Sequence, residues 1–259
     1  MKIRCALAIG FLGALLPARA ADAEPGAQRS AIERLTSIFE NSTPKLQYAY
    51  VENIRDKRGY TFGFAGFTSG TFDGAMFLEE YDRLRPGNTL TRFLPAFKKI
   101  DAGPHDDEGR NPSVAGLREF PAAFRACGGD PAFVQAQQNL ADRLYWNPSQ
   151  RIVKRVGAKL AITRGQFYDA CINLGEDGLE DLVRRTDRAA GGTPKTGVPE
   201  REWLAKFLDL RLRDLATGER VERQAADRVR VYQRLLAQDN VSLSLPIRVI
   251  CYGDRFVLK

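Results

Sequence analysis

The stretch Phe39–Asn88, FENSTPKLQYAYVENIRDKRGYTFGFAGFTSGTFDGAMFLEEYDRLRPGN, decides how the chain is read. Just upstream, Ile32, Leu35, Ile38 and Phe39 recur at helical spacing, which predicts a helix from Ala27 to Glu40 stopped by Asn41 and Pro44. Residues 58–68, RGYTFGFAGFT, alternate aromatics with glycines and fit one or two short strands with close backbone approach. Asp73 opens a helix bearing Met76, Phe77, Leu78, Tyr81 and Leu84, closed by Pro86-Gly87; on spacing alone Asp73 is its N-cap. Glu40, Glu52, Asp56 and Asp73 therefore surround one strand-and-turn unit held between two helices.

Outward from this unit the chain reads mainly as helices. One starts near Asn88 with Leu90, Phe93, Leu94 and Phe97 on one side, and Asp130-Pro131 is an N-cap and N1 pair opening a helix toward Tyr145. Further helices are predicted over 159–174, 179–188, 200–217 and 225–238, and the tail from Val241 has the β-branched bias of an extended segment. DAGPHDDEGRNPS, residues 101–113, is the first convincing loop or hinge, and His105 within it is expected to face solvent. The fold class is α+β, mostly helical, with a small early sheet and two lobes about the loop after Ile100.

The N-terminus carries Lys2 and Arg4, then the apolar run ALAIGFLGALLP, then ARA ending at Ala20, the layout of a secretory signal peptide over residues 1–20. The expected product, 21–259, is secreted, about 240 residues long, and large enough for a two-lobed catalytic domain. Loss of Lys2, Arg4 and Arg19 takes the net charge from +7 to +4. No Lys/Arg block interleaved with aromatics marks a nucleic-acid surface, and no later segment reads as a membrane span. Cys127, Cys171 and Cys251 allow one disulfide and a free thiol, or three buried thiols. With His105 the only histidine and no Cys-x-x-Cys, cysteine-histidine metal sites and histidine-dependent nucleophiles are disfavoured, and neither metal nor organic cofactor is expected.

Acid/base chemistry by paired carboxylates is the leading enzymatic option. Glycoside hydrolysis needs one protonated carboxyl for the leaving oxygen and one ionised carboxylate for water or carbon. Glu40 suits the acid, since a helix C-terminus and apolar Ile38 and Phe39 both disfavour its charged form. Asp56, between Arg55 and Lys57 and near Arg58, suits the carboxylate. A solvated Glu40, a loop Asp56 and a capping Asp73 remain the plainer alternative.

ENS at 40–42, YVENIRDKRGYTFGFAGFTSGTFD at 50–73 and LRPGNTLTRFLPAFKKI at 84–100 resemble the chitosanases of glycoside hydrolase family 46. The likeness continues through QAQQNLADRLYW, GQFYDACINLG, FLDLR and the terminal YGD, and so covers nearly all of the chain after Ala20. The resemblance implies a lysozyme-like fold with a substrate cleft between two lobes, and endo-hydrolysis of chitosan with inversion. It makes Glu40 the general acid, Asp56 the general base and Thr61 the hydroxyl that helps position the water. Arg58 would support the loop of Asp56 and border the substrate. Asp169, Arg211 and Arg228 would form a buried ion-pair network behind the base.

Chitosan carries ammonium groups at mildly acidic pH, so a cleft for it should hold further carboxylates. Glu52 and Asp73 match positions of that kind, and Tyr50 or Tyr48 would offer a ring face to sugar. The chain departs from the family pattern at Asn53, which replaces an acid, and at Arg55 and Lys57, which replace glycines about the base. The resemblance implies a monomer with chitosan or chito-oligosaccharide as its partner. A lysozyme-like hydrolase of acetylated or peptidoglycan glycans, and a non-catalytic secreted glycan-binding protein, stand as alternatives.

Overall fold

The computed structural model describes residues 25–217 and 220–259. The segment read as a signal peptide lies outside the described residues. Helix α1 (Pro25–Asn41) is followed by three two-residue strands, β1 (Val51–Glu52), β2 (Thr61–Phe62) and β3 (Phe67–Thr68). They form one antiparallel sheet in the order β1-β2-β3, with Val51 opposite Phe62 and Thr61 opposite Thr68. Helix α2 (Asp73–Leu84) comes next, then a 3₁₀ turn at Thr91–Phe93 and helices α3 (Leu94–Asp101) and α4 (Phe120–Ala126).

Helix α5 (Pro131–Ala141) passes through a wide π turn at Asp142–Trp146 into α6 (Asn147–Val156). Then come α7 (Ala161–Ala190), α8 (Glu200–Thr217), α9 (Arg220–Ala237) and a hairpin of β4 (Ile247–Cys251) and β5 (Asp254–Leu258). Predicted and observed helix boundaries agree where the cues are local. Asp130 caps α5 by accepting from the Ala132 N–H at 2.9 Å. The two helices expected over 159–188 are the two halves of α7, broken where Gly175 adopts φ 74° and ψ 175°. Strand β1 and helices α4 and α6 were not foreseen.

Burial separates two cores. The first is dominated by aromatic rings: Phe62 packs against Phe77, Phe97, Phe120 and Phe124 at centroid distances of 5.8, 6.2, 5.3 and 5.1 Å. The second joins α1 to α6–α9 through Ile32, Leu35 and Ile38 against residues such as Phe167, Trp203 and Tyr232. Each fully buried Leu or Ile there contributes about 1.5–3 kcal/mol. Tyr145, in the π turn, packs on both cores. The division is thus not at the loop after Ile100, whose flanking Ile100 and Leu117 both belong to the first core. It falls after α1 and again at Asp142–Trp146, because α1 buries its apolar stripe against the later helices and not against the sheet that follows it.

Two expectations at the sheet edge are corrected. Asp73 is the first residue of α2, not its N-cap; Phe72 holds the cap position in a left-handed conformation, φ 73°. His105 is half-buried, stacked on Phe72 at 4.6 Å with its Nδ1 3.0 Å from the Gly103 carbonyl. The loop that carries it is pinned by Asn111, whose N–H donates to the Gly70 carbonyl at 2.9 Å. A Cβ on Gly70 would lie 1.9 Å from the Asn111 oxygen, so only glycine permits that approach. Cys127, Cys171 and Cys251 are free, buried thiols.

Candidate active site

Glu40 stands in the last turn of α1, where Ile38 and Phe39 are buried and the carboxylate is left at the surface of the second core. Its Oε1 accepts from Arg228 Nη2 of α9. Arg228 is almost wholly buried, and its Nε lies 3.7 Å from Asp169 Oδ1. Asp169 Oδ2 in turn accepts from Arg211 Nη1 of α8 at 2.7 Å. Arg211 also donates through Nη2 to Asn173 Oδ1 at 3.2 Å. Burial works against the charge on Arg228, but the carboxylates of Asp169 and Glu40 outweigh it and hold the guanidinium firmly protonated.

The network expected behind the base therefore meets Glu40 instead. The reason is helical spacing: Asp169, Ile172 and Asn173 share one face of α7, and that face looks toward α8, α9 and the end of α1. Asp169→Ala would leave buried Arg211 without a counter-charge and Arg228 with Glu40 alone, the two guanidiniums no longer separated by a carboxylate. A loss of about 3–5 kcal/mol in unfolding free energy is expected by denaturant titration; a loss below about 1 kcal/mol would mean that the arginines relax to other partners.

Asp56 is presented by the turn between β1 and β2. Its Oδ1 accepts from the Arg58 N–H at 3.1 Å, and its Oδ2 from Arg58 Nε at 2.7 Å and Nη2 at 2.5 Å. The residues on either side, Arg55 and Lys57, have φ 59° and 70°. These are the two positions where the resembling family carries glycine, and left-handed backbone explains the preference. A side chain there costs about 1 kcal/mol, which Arg58 helps offset by clamping the carboxylate.

Two cavities meet at Glu40. The larger, about 880 Å³, is lined by Glu40, Arg58, Ile172, Asp227, Arg228 and Tyr252, among others. The smaller, about 220 Å³, has Glu40, Arg58 and Ile172 in common with it and adds Tyr50, Thr61 and Asp73. Asp56 and Glu52 are not among the lining residues; Arg58 and Tyr50, their respective partners, are. Thr61 is buried in the wall of the smaller cavity, and its hydroxyl makes no hydrogen bond among the described residues. Of the two candidate tyrosines, Tyr50 faces the cavity, with its hydroxyl on Glu52 Oε2 at 3.1 Å. Tyr48 packs on Phe64 at 5.1 Å and receives Gln138 at 2.9 Å.

Asp73 lines the smaller cavity but is buried. That burial pushes its carboxyl up to about 7, against the opposing pull of the Thr68 N–H and the Thr71 hydroxyl at 3.0 and 3.1 Å. The folded chain then holds this proton more tightly than the unfolded chain, so stability falls as pH rises from about 4 through about 7. Asp73→Asn should remove a slope on the order of 3 kcal/mol over that window. Urea titrations at pH 4, 5.5 and 7.5 check this, and parallel curves for the two proteins would contradict it.

The sequence reading missed Asp227 and Tyr252 as cleft residues. Tyr252 begins the YGD motif already noted, whereas nothing in the local pattern of α9 marks Asp227. Among the described residues no group of three or more His, Cys, Asp or Glu is placed to hold a metal ion, and no helix is long and apolar enough to cross a membrane.

A mostly helical chain with a small sheet, two cores and a carboxylate-bearing cleft between them defines a glycoside hydrolase of the lysozyme-like fold class. The chain belongs to glycosyl hydrolase family 46, whose model matches residues 34–247. It is 37% identical over 243 residues to a chitosanase of Bacillus subtilis (strain 168), covering 90% of this chain and 85% of the other. A complex of the Gynuella sunshinyii GH46 chitosanase with chitotetraose superposes with a TM-score of 0.81 at 36% identity, over 92% of this chain and 99% of that one. A mutant chitosanase from Bacillus subtilis MY002 complexed with 6 GlcN superposes with a TM-score of 0.81 at 35% identity, over 92% and 100% of the two chains.

Proposed function

We propose that this glycoside hydrolase is an exported endo-chitosanase that cleaves β-1,4 glucosamine linkages with inversion. The observation that carries the reading is the position of Glu40, set on a buried arginine–aspartate–arginine chain at the junction of two cavities. Arg228 occupies Oε1 of Glu40, which leaves Oε2 to carry the proton delivered to the glycosidic oxygen. Asp56, held by Arg58, takes a proton from the attacking water, and the Thr61 hydroxyl helps to orient that water. Inversion follows when water enters from the face opposite the acid.

The relatives named above are chitosanases, one complexed with chitotetraose and another with 6 GlcN, and on the sheet side Asp73 in the cavity wall, with Glu52 behind Tyr50, would provide acids for such sugars. Binding of an ammonium beside Asp73 would favour its ionised form. The guanidiniums of Arg58 and Arg228 in the larger cavity support a second reading, hydrolysis of acetylated or peptidoglycan glycans: acetylation removes the ammonium charge they would repel, and the carboxylates of peptidoglycan are groups they would attract.

Reducing-end release from highly deacetylated chitosan at mildly acidic pH, followed by NMR of the newly formed anomer, tests the proposal. Early accumulation of the α-anomer is expected. A β-anomer would overturn inversion, release from acetylated glycans alone would favour the second reading, and binding without cleavage would make the protein a glycan-binding module.

A further inference from the structure

We propose that Asp227 binds the ammonium group of the glucosamine unit on the leaving-group side of the scissile bond, opposite the side served by Asp73. The inference rests on the chitosanase reading and deepens it by assigning a charged subsite in the larger cavity.

The two cavities are not equivalent chemically. The smaller contains Thr61 and adjoins the turn that carries Asp56, so the anomeric carbon attacked by water belongs on that side. Glu40 stands at the junction, and the larger cavity beyond it is left for the sugar that departs with the glycosidic oxygen. Asp227 is the carboxylate other than Glu40 in the described lining of that cavity. Two arginines, Arg58 and Arg228, line it as well, and a cationic sugar placed there without an acid would meet only repulsion from them.

Asp227 is also built into position. Its Oδ2 accepts from the Tyr252 N–H at 2.9 Å and its Oδ1 from Arg230 Nη1 at 2.8 Å, which leaves lone pairs on both oxygens for a further donor. Arg230 is itself exposed, so solvent screens that pair. Tyr252 anchors the same wall to α1 by donating its hydroxyl to the Phe39 carbonyl at 3.2 Å. The end of α1, α9 and the turn of the β4–β5 hairpin thus meet around one carboxylate. The side chain is about one-third exposed, within reach of a ligand.

The test is hydrolysis of partly acetylated chitosan by the wild type, Asp227→Asn and Asp227→Glu, with identification of the sugar at each new non-reducing end. Asparagine keeps an acceptor for the Tyr252 N–H but loses the charge. Wild type should yield mostly glucosamine at that end. Asp227→Asn should raise the acetylated share and raise KM for fully deacetylated oligosaccharide about 5–10-fold, with a smaller change in kcat. Asp227→Glu should retain the preference. Unchanged end composition in Asp227→Asn overturns the inference, even where both proteins are fully active. Absence of cleavage by the wild type counts against the chitosanase reading alone. Calorimetric titration of chitohexaose into Glu40→Gln and Glu40→Gln/Asp227→Asn then decides, with equal Kd values overturning the subsite and a weaker double variant supporting it.

Discussion

Glu40→Gln should lower kcat on deacetylated chitosan by about 10²–10⁴-fold while leaving the unfolding midpoint nearly unchanged. The amide has the same shape and keeps an oxygen for Arg228, so the chain from Glu40 through Arg228 and Asp169 to Arg211 retains its geometry. What the variant lacks is an acidic proton on the second oxygen, and the leaving sugar must then depart as an unassisted alkoxide. KM should move little, because the interaction removed is made chiefly in the transition state. Side-by-side assays of wild type and variant on the same chitosan measure this. Turnover within about threefold of wild type would assign the acid to another group.

Asp56→Asn should also remove about 10²–10⁴-fold of kcat, for the opposite reason. The amide cannot take a proton from water, although it still accepts from the Arg58 N–H. Stability should fall by no more than about 1 kcal/mol, since the ion pair with Arg58 is partly exposed and screened. The expected signature is thus a folded protein that binds chito-oligosaccharide and barely turns it over. Near-normal kcat in Asp56→Asn would place the base elsewhere and leave the clamp by Arg58 as a purely structural feature of the turn. A large stability loss would mean that the left-handed residues Arg55 and Lys57 depend on this carboxylate more than its exposure implies.

Much of the secondary structure was legible because its causes are local. The stripe Ile32, Leu35, Ile38 and Phe39 gives α1, the Asp130-Pro131 pair starts α5, and the helical break foreseen between residues 174 and 179 occurs at Gly175. Strand β1 went unseen because two residues carry no periodicity, and α4 because a seven-residue helix is too short to declare one. Placement of the two cores was not legible either. A stripe of apolar residues says that a helix is covered, and it does not say by what; α1 turned out to face helices more than a hundred residues away.

The site divides in the same way. The residue types marked Glu40, Asp56 and Asp73 as carboxylates within one short stretch, and the resemblance to family 46 added Thr61 and implied a role for each. Tertiary structure alone decided which carboxylate the buried arginines serve, that Asp73 is desolvated while Asp56 is clamped, and that Asp227 lines the larger cavity with Glu40. The reason is physical: a charge takes its character from the groups and the water within a few ångströms of it, and those neighbours come from distant parts of the chain. Sequence by itself determined which groups could act; packing determined the environment in which each of them does.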